Sequence, residues 1–147
     1  MLRDPFRLGA YALVTAPGPS GGCVLLVPKV SGPYEGRLDL PGGVVELYED
    51  PADTLVRELR EECGLAVEPE QAELLGVRSV VFRHTEPDGT AALLHHVGVL
   101  SRIAYEEVPH VSAEPGEPDP EWVAVTESGR RHLTPFAWWA LAQLGDA

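Results

Sequence analysis

Apolar residues in this chain come in short blocks separated by glycine, proline and polar clusters, and two different periods run through the blocks. Residues 8 to 15, LGAYALVT, and 23 to 29, CVLLVPK, are near-continuous apolar runs of strand length, and the turn-rich APGPSGG between them predicts a hairpin. Further on, AELLGVRSVVFRH (72 to 84) and AALLHHVGVLSRI (91 to 103) flank TEPDGT, whose Asp88-Gly89 pair is a strong hairpin signal. Two long antiparallel strands are expected there. Between these pairs the period changes to 3.6. Ala52, Leu55, Val56, Leu59 and Cys63 recur at helical spacing, with Asp50 as N-cap, Pro51 at the first helical position, Asp53 three residues after the cap and Gly64 as the stop. A short strand, EWVAV (121 to 125), and a helix over TPFAWWALAQL (134 to 144), capped by Thr134, close the chain.

The breaks are as informative as the blocks. VSGPYEGR is a loop, and Pro41-Gly42-Gly43 within LDLPGGVVEL is expected to interrupt regular structure and let backbone approach another group closely. Residues 104–120, rich in Pro, Glu and Gly, read as an irregular loop of a length that usually serves function or mobility. There are no internal repeats. A chain of 147 residues suffices for one domain with a full core and falls short of two, so residues 1–147 are read as a single domain.

Composition then removes several classes. No apolar run approaches the roughly 20 residues that span a bilayer, which argues against a membrane partner. The start, MLRDPFRLGAYALV, carries Asp4 and Pro5 where a signal peptide needs a basic start and an unbroken apolar stretch, so a cytoplasmic location is expected. Cys23 and Cys63 lie far apart with no CxxC, which fits two reduced thiols. Eleven basic against 23 acidic residues give a net charge of −12 with no clustering of the basic ones, so no nucleic-acid partner is expected.

Charge also poses a question at RELREECGL, residues 57 to 65. On a helix, Glu58, Glu61 and Glu62 share a wedge opposite Leu55, Leu59 and Cys63, where their repulsion is unfavourable unless something neutralises it. Three converging carboxylates suit a hard divalent cation such as Mg²⁺, which takes oxygen ligands and completes its shell with water and phosphate oxygens. An acidic helix face on its own is ordinarily a solvated surface. The flanking residues overturn that reading, because Glu49 stands eight positions before Arg57 and Gly43 six before Glu49, completing the pattern GX5EX7REUXEEXGU from Gly43 to Leu65. Seven identities and two aliphatic positions would coincide at roughly one in 10⁹ starting points, at average residue frequencies of about 6%.

In these residues the chain resembles the Nudix hydrolase family. LDLPGG before the box, the EWVAV strand and the terminal helix follow in the order of small single-domain members, so the resemblance covers nearly the whole chain. Many members carry glycine where this sequence has Tyr48, a departure that bears on the loop shape there. The resemblance implies an α/β/α sandwich with a central mixed β-sheet, and Mg²⁺-dependent hydrolysis of a nucleoside diphosphate linked to another group, with Mn²⁺ able to substitute. By position it implies metal ligands at Glu58, Glu61, Glu62 and the Gly42 carbonyl, and an Arg57–Glu49 pair that orients the catalytic glutamate. Glu58 is the first choice as general base; the alternative is a loop carboxylate among Glu106, Glu107, Glu114 and Glu117.

Other candidates stay open at this level. Lys29 and Arg37 stand where a phosphate-binding cation would be useful, and a plain surface role fits each equally. His95 and His96 lie mid-strand, so one faces each side of the sheet, with packing or a hydrogen bond the ordinary role. Trp122, Trp138 and Trp139 could stack on a base, though core positions are commoner for such residues. The expected partner is a small nucleotide, and a homodimer is left open. Two readings compete, a pyrophosphohydrolase and a nucleotide-sensing module without turnover; the full set of box carboxylates favours the enzyme. Neither a proline-rich signature after the box nor the tyrosine expected of dinucleoside polyphosphate hydrolases is present. The substrate stays open among nucleoside triphosphates, nucleotide sugars and dinucleoside polyphosphates.

Overall fold

The computed structural model describes residues 6–144, so Asp4 and Pro5, on which the reading of the N-terminus rested, lie outside it. The first apolar runs form β1 (Phe6–Ala16) and β2 (Cys23–Pro28), antiparallel where Thr15 meets Val24. Next come β3 (Leu38–Asp39), β4 (Gly42–Val44) and the helix α1 (Pro51–Cys63). The long hairpin is β5 (Glu73–Thr85) and β6 (Ala91–Ala104), turned at Gly89 with φ +86°. The chain ends in β7 (Glu121–Ala124), the short helix α2 (Val125–Ser128) and α3 (Pro135–Ala142).

The strands join one seven-stranded sheet whose main path runs β3-β2-β1-β6-β5, with β4 also on β1 and β7 also on β2. β1 and β6 run parallel for ten residue pairs and the other pairings are antiparallel, so the sheet is mixed, as expected. Along β1 the side chains alternate between two cores. Ala10, Ala12 and Val14 meet Leu55, Leu59 and Cys63 of α1, while Tyr11 and Leu13 meet Phe136, Ala137 and Ala140 of α3. The result is the α/β/α sandwich. Each fully buried leucine in these layers, such as Leu13 or Leu59, contributes roughly 1.5–3 kcal/mol of transfer free energy. Gly98 of β6 lies under Phe136, whose Cδ2 would be 2.7 Å from a Cβ placed there, so the ring reaches the sheet only because that side chain is missing.

Several local expectations change. Gly42 and Gly43 do not end regular structure; they pair with Tyr11 and Ala10 as part of β4, where a Cβ on Gly42 would run into Ala10 O and Tyr11 of β1. Val125, expected at the end of a strand, starts α2 instead. Trp138 points outward and is 64% exposed, whereas Trp139 packs on the core. Ala104, expected in the loop, ends β6 instead, and residues 105–120 are irregular yet tied down: Tyr105 N–H donates to Thr15 O, Ser112 N–H to Cys63 O and Glu114 N–H to Glu61 O. Both cysteines are free thiols. No described helix is long and apolar enough to cross a membrane.

The two histidines do face opposite sides. His95 bonds Ser79 Oγ at 2.8 Å on the open side, and His96 is buried, sharing a 2.8 Å hydrogen bond with Tyr11 Oη and a 3.5 Å one with Tyr34 Oη. Burial lowers the His96 pKa to about 4, with Arg7 and Lys29 adding to the effect. Because the folded value lies below the unfolded one, this stability is full above pH 6.5 and is lost as pH falls toward 4. The stability advantage of the wild type over His96→Gln should therefore narrow by about 2 kcal/mol between pH 7 and 4.5. Urea melts of the two proteins at both pH values measure it; parallel pH profiles would mean that His96 titrates normally.

Candidate active site

The site starts from the cap of α1. Asp50 accepts from Ala52 N–H at 3.1 Å and its own N–H donates to Asp53 Oδ2 at 3.1 Å, the reciprocal arrangement that fixes where the helix begins. Glu49 is thereby held one residue before the cap, about two turns from Arg57. The guanidinium grips it in a fork, Nε to Oε2 at 2.8 Å and Nη2 to Oε1 at 2.9 Å. Thr54 Oγ1 and Glu46 N–H also donate to Oε1, at 2.8 and 3.0 Å. The Arg57 bonds, aided by these two donors, bring the Glu49 pKa down to about 2, and the bond to Glu49 in turn raises that of Arg57.

Arg57 also reaches forward, donating from Nη1 to Glu58 Oε1 at 2.7 Å. That carboxylate lies directly over Gly43, where a Cβ would come within 2.7 Å of Oε1. Glu62 is held the same way, since its Oε1 accepts from Gly42 N–H at 2.8 Å. In both glutamates Oε2 has no protein hydrogen bond among the described residues. Burial raises the Glu62 pKa to about 8, with Glu58 adding repulsion, and burial likewise raises that of Glu58, with Glu61 and Glu117 adding to it. Arg57 thus holds Glu58 and Gly42 N–H holds Glu62, and among the described residues no three acidic, histidine or cysteine side chains already stand around one point.

Of the two proposed phosphate-binding cations, Lys29 is electrostatically coupled to Glu62 and Asp39. Arg37 is occupied elsewhere, donating to Leu133 O at 3.1 Å and lying 5.1 Å from the Phe82 ring centre. The loop carboxylates also separate. Glu114 is anchored by its N–H to the Glu61 carbonyl, Glu117 N–H donates to Glu114 O, and the charge of Glu117 is felt at Glu58. No described hydrogen bond or ion pair ties Glu106 or Glu107 to this cluster.

The family profile described as NUDIX domain matches residues 5–144. The chain belongs to the Nudix family. An ADP-ribose pyrophosphatase of Methanocaldococcus jannaschii is 43% identical over 56 residues, which are 38% of this chain and 32% of that protein. The match thus spans about a third of that relative's length. Among solved structures, a MutT NUDIX hydrolase from Burkholderia pseudomallei is 27% identical with a TM-score of 0.68, covering 94% of this chain and 97% of its own. The NUDIX domain of Shewanella oneidensis NrtR, complexed with ADP ribose, superposes with a TM-score of 0.74 over 95% of this chain and 86% of its own. At 19% identity that likeness speaks for the fold alone.

Within the Nudix box the sequence pattern leaves out two residues that the structure brings in. Thr54 and Glu46 complete the grip on Glu49 from variable positions of the motif, and only the helix phase of Thr54, three residues before Arg57, hinted at it. Tyr48 shows how the box tolerates its departure. Glu49 N–H closes a turn on Glu46 O at 2.9 Å, and Tyr48, third in that turn, has φ +69°, the left-handed value that favours glycine. Its ring gains nothing in return, being 97% exposed. Tyr48→Gly should stabilise the protein by about 0.5–1 kcal/mol, relief of steric strain exceeding the added chain entropy. A thermal melt should show a Tm higher by about 2–3 °C; an unchanged or lower Tm counts against strain here.

Proposed function

We propose that this single-domain chain hydrolyses a pyrophosphate bond in a nucleoside diphosphate linked to another group, using Mg²⁺, with Mn²⁺ able to substitute. The observation that carries the reading is the anchored pair of glutamates: Arg57 fixes Oε1 of Glu58 and Gly42 N–H fixes Oε1 of Glu62, leaving each Oε2 for other work. Among nucleotide substrates we put ADP-ribose first, supported by the 43% identity with the archaeal ADP-ribose pyrophosphatase over 56 residues. Two free thiols fit a reducing compartment, so we assign the protein to the cytoplasm. The charge of −12 argues against nucleic acid as partner.

Nudix hydrolases generally use divalent ions, and the donors here suit a hard one. Glu58, Glu61 and Glu62 offer only oxygen, and Glu62 is a half-buried carboxylate whose pKa is raised to about 8, which a cation would return to its charged form. These three, with the Gly42 carbonyl, would hold the ion. When bound it supplies charge neutralisation at the pyrophosphate and a lowered pKa for the attacking water. Glu58 Oε2 takes the water proton as the water oxygen bonds to phosphorus and the bridging P–O bond breaks, while Arg57 keeps that carboxylate from turning. Lys29 attracts a phosphate oxygen. Glu117 is the reserve candidate for the base.

A panel including ADP-ribose, nucleoside triphosphates and dinucleoside polyphosphates, assayed for phosphate-ended products with Mg²⁺ or Mn²⁺, tests this. Turnover of at least one compound is expected, and EDTA should abolish it. Nucleotide binding without product under either metal would replace the enzyme by a nucleotide-sensing module. Neither binding nor product would remove both readings.

A further inference from the structure

The turn that leads into α1 carries a side chain that the fold does not explain. Leu47 and Tyr48 are adjacent and are 83% and 97% exposed, the two most exposed large apolar side chains among the described residues. Tyr48 also holds φ +69°, a conformation that glycine adopts freely and tyrosine only with strain. One residue thus combines backbone strain with bare aromatic surface, and such outliers collect where a ligand supplies the missing contact. The backbone beneath the ring is firmly held. Glu49 N–H donates to Glu46 O at 2.9 Å, Glu46 N–H to Glu49 Oε1 at 3.0 Å and Val45 N–H to Leu8 O at 2.9 Å. Arg57 adds a bond from Nη2 to Val44 O at 3.3 Å and an ion pair with Glu46 at 3.7 Å. The same guanidinium grips Glu49 and fixes Glu58 Oε1, so the turn and the glutamate pair share one anchor.

We propose that Tyr48 is a substrate-contacting residue whose ring stacks on the base of the nucleotide, with Leu47 adding apolar surface at the same rim. The proposal rests on the function given above in taking the ligand to be a nucleotide with its pyrophosphate at Glu58 and Glu62. From that point a ribose and a base extend outward, and only the Arg57 guanidinium separates Glu58 from the turn. A base offers a flat apolar face without charge, which suits a rim on a chain of net charge −12 better than a phosphate would. Other aromatic rings are placed less well for this. Phe6 packs edge-on against His95 with ring centres 5.2 Å apart, and Trp138 lies beside α2 with Val125, Ser128 and Leu133. Tyr34 is 5% exposed and faces Phe82. Because the turn is already formed, stacking on Tyr48 orders little new backbone.

Calorimetric titration with AMP and with ribose 5-phosphate, each in the presence of Mg²⁺, tests the contact without requiring turnover. These are the two halves of ADP-ribose once its pyrophosphate bond is cut. Tyr48→Gly should weaken AMP about tenfold and leave ribose 5-phosphate within about twofold of the wild type. Tyr48→Phe, which keeps the ring, should hold AMP within about twofold. Melting curves recorded alongside separate contact from folding: Tyr48→Gly should melt no lower than the wild type while binding AMP more weakly, whereas a merely structural role would lower both. On the substrate that the panel identifies, Tyr48→Gly should raise KM about tenfold with kcat within about threefold, the sign of a contact made equally before and during the reaction. Equal AMP affinity in Tyr48→Gly overturns the proposal, as does a wild type that does not bind AMP up to about 10 mM. Tyr48→Phe as weak as Tyr48→Gly rules out stacking, and a loss confined to ribose 5-phosphate puts the other half of the substrate at the turn; either result defeats the proposal. A panel without turnover defeats the enzymatic reading instead, and the AMP titrations still decide this one.

Discussion

Replacing Glu58 by glutamine is expected to lower kcat about 10³-fold or more while leaving nucleotide affinity within a few-fold. Glutamine keeps the volume over Gly43 and can still sit beside Arg57, so the change removes a charge and a proton acceptor and little else. Arg57→Lys probes the support behind it. Lysine keeps the charge and loses the fork on Glu49, so Glu58 is positioned less tightly, and kcat should fall about 10- to 100-fold with KM little changed. Steady-state kinetics of both variants on the substrate found in the panel, with folding checked by melting, separate the roles. If Glu58→Gln keeps kcat within tenfold and Glu117→Gln loses 10³-fold, the base belongs to the loop, and Glu58 is a ligand that tolerates neutralisation.

Glu61→Gln should uncouple stability from activity. Carboxylates some 5 to 6 Å apart at an effective dielectric near 40 repel by roughly 1 to 2 kcal/mol, so neutralising one should leave the metal-free protein equally stable or slightly more so. The gain should sit at the low end, because Glu62 keeps its proton below about pH 8 and the metal-free cluster is already partly neutral at pH 7. With Mg²⁺ at about one hundred times its Kd the wild type should gain about 2 to 3 kcal/mol of apparent stability. The variant should lose most of that gain, and its turnover should collapse. Thermal melts with and without Mg²⁺ beside a turnover assay report both quantities. Near-normal turnover together with an undiminished Mg²⁺ shift would return Glu61 to the solvated face of the helix.

What the chain determined by itself lies within single elements. Asp50, Pro51, Asp53 and Gly64 set the ends of α1 through local hydrogen bonds and φ preferences, and helical spacing then puts Glu58, Glu61 and Glu62 on one side and Leu55, Leu59 and Cys63 on the other. The Arg57–Glu49 contact was expected from the resemblance to the Nudix family, not from local spacing, and the structure forms it across the capped helix start. Asp88-Gly89 determined the β5–β6 hairpin, and strand alternation determined that His95 and His96 would part. Periodicity states that two faces exist. It cannot state which of them will be covered, because that depends on segments far away in the chain.

Tertiary structure alone decided those questions. The parallel pairing of β1 with β6 joins residues about ninety positions apart and has no local signal. It is this sheet that turns Gly42 and Gly43 from a break into a strand, brings Gly42 N–H to Glu62, and buries Glu62 deeply enough to raise its pKa. Glu117 was separated from Glu106 only by the hooking of residues 112–117 onto the carbonyls at the end of α1. Core was the commoner expectation for Trp138, yet α3 presents Trp139 inward; and no residue of β5 is buried, because the α1-side core takes in β6 only at Ile103. Burial is a property of the assembled layers: a residue's own chemistry sets how much it gains from being covered, and only the packing of distant elements decides whether it is.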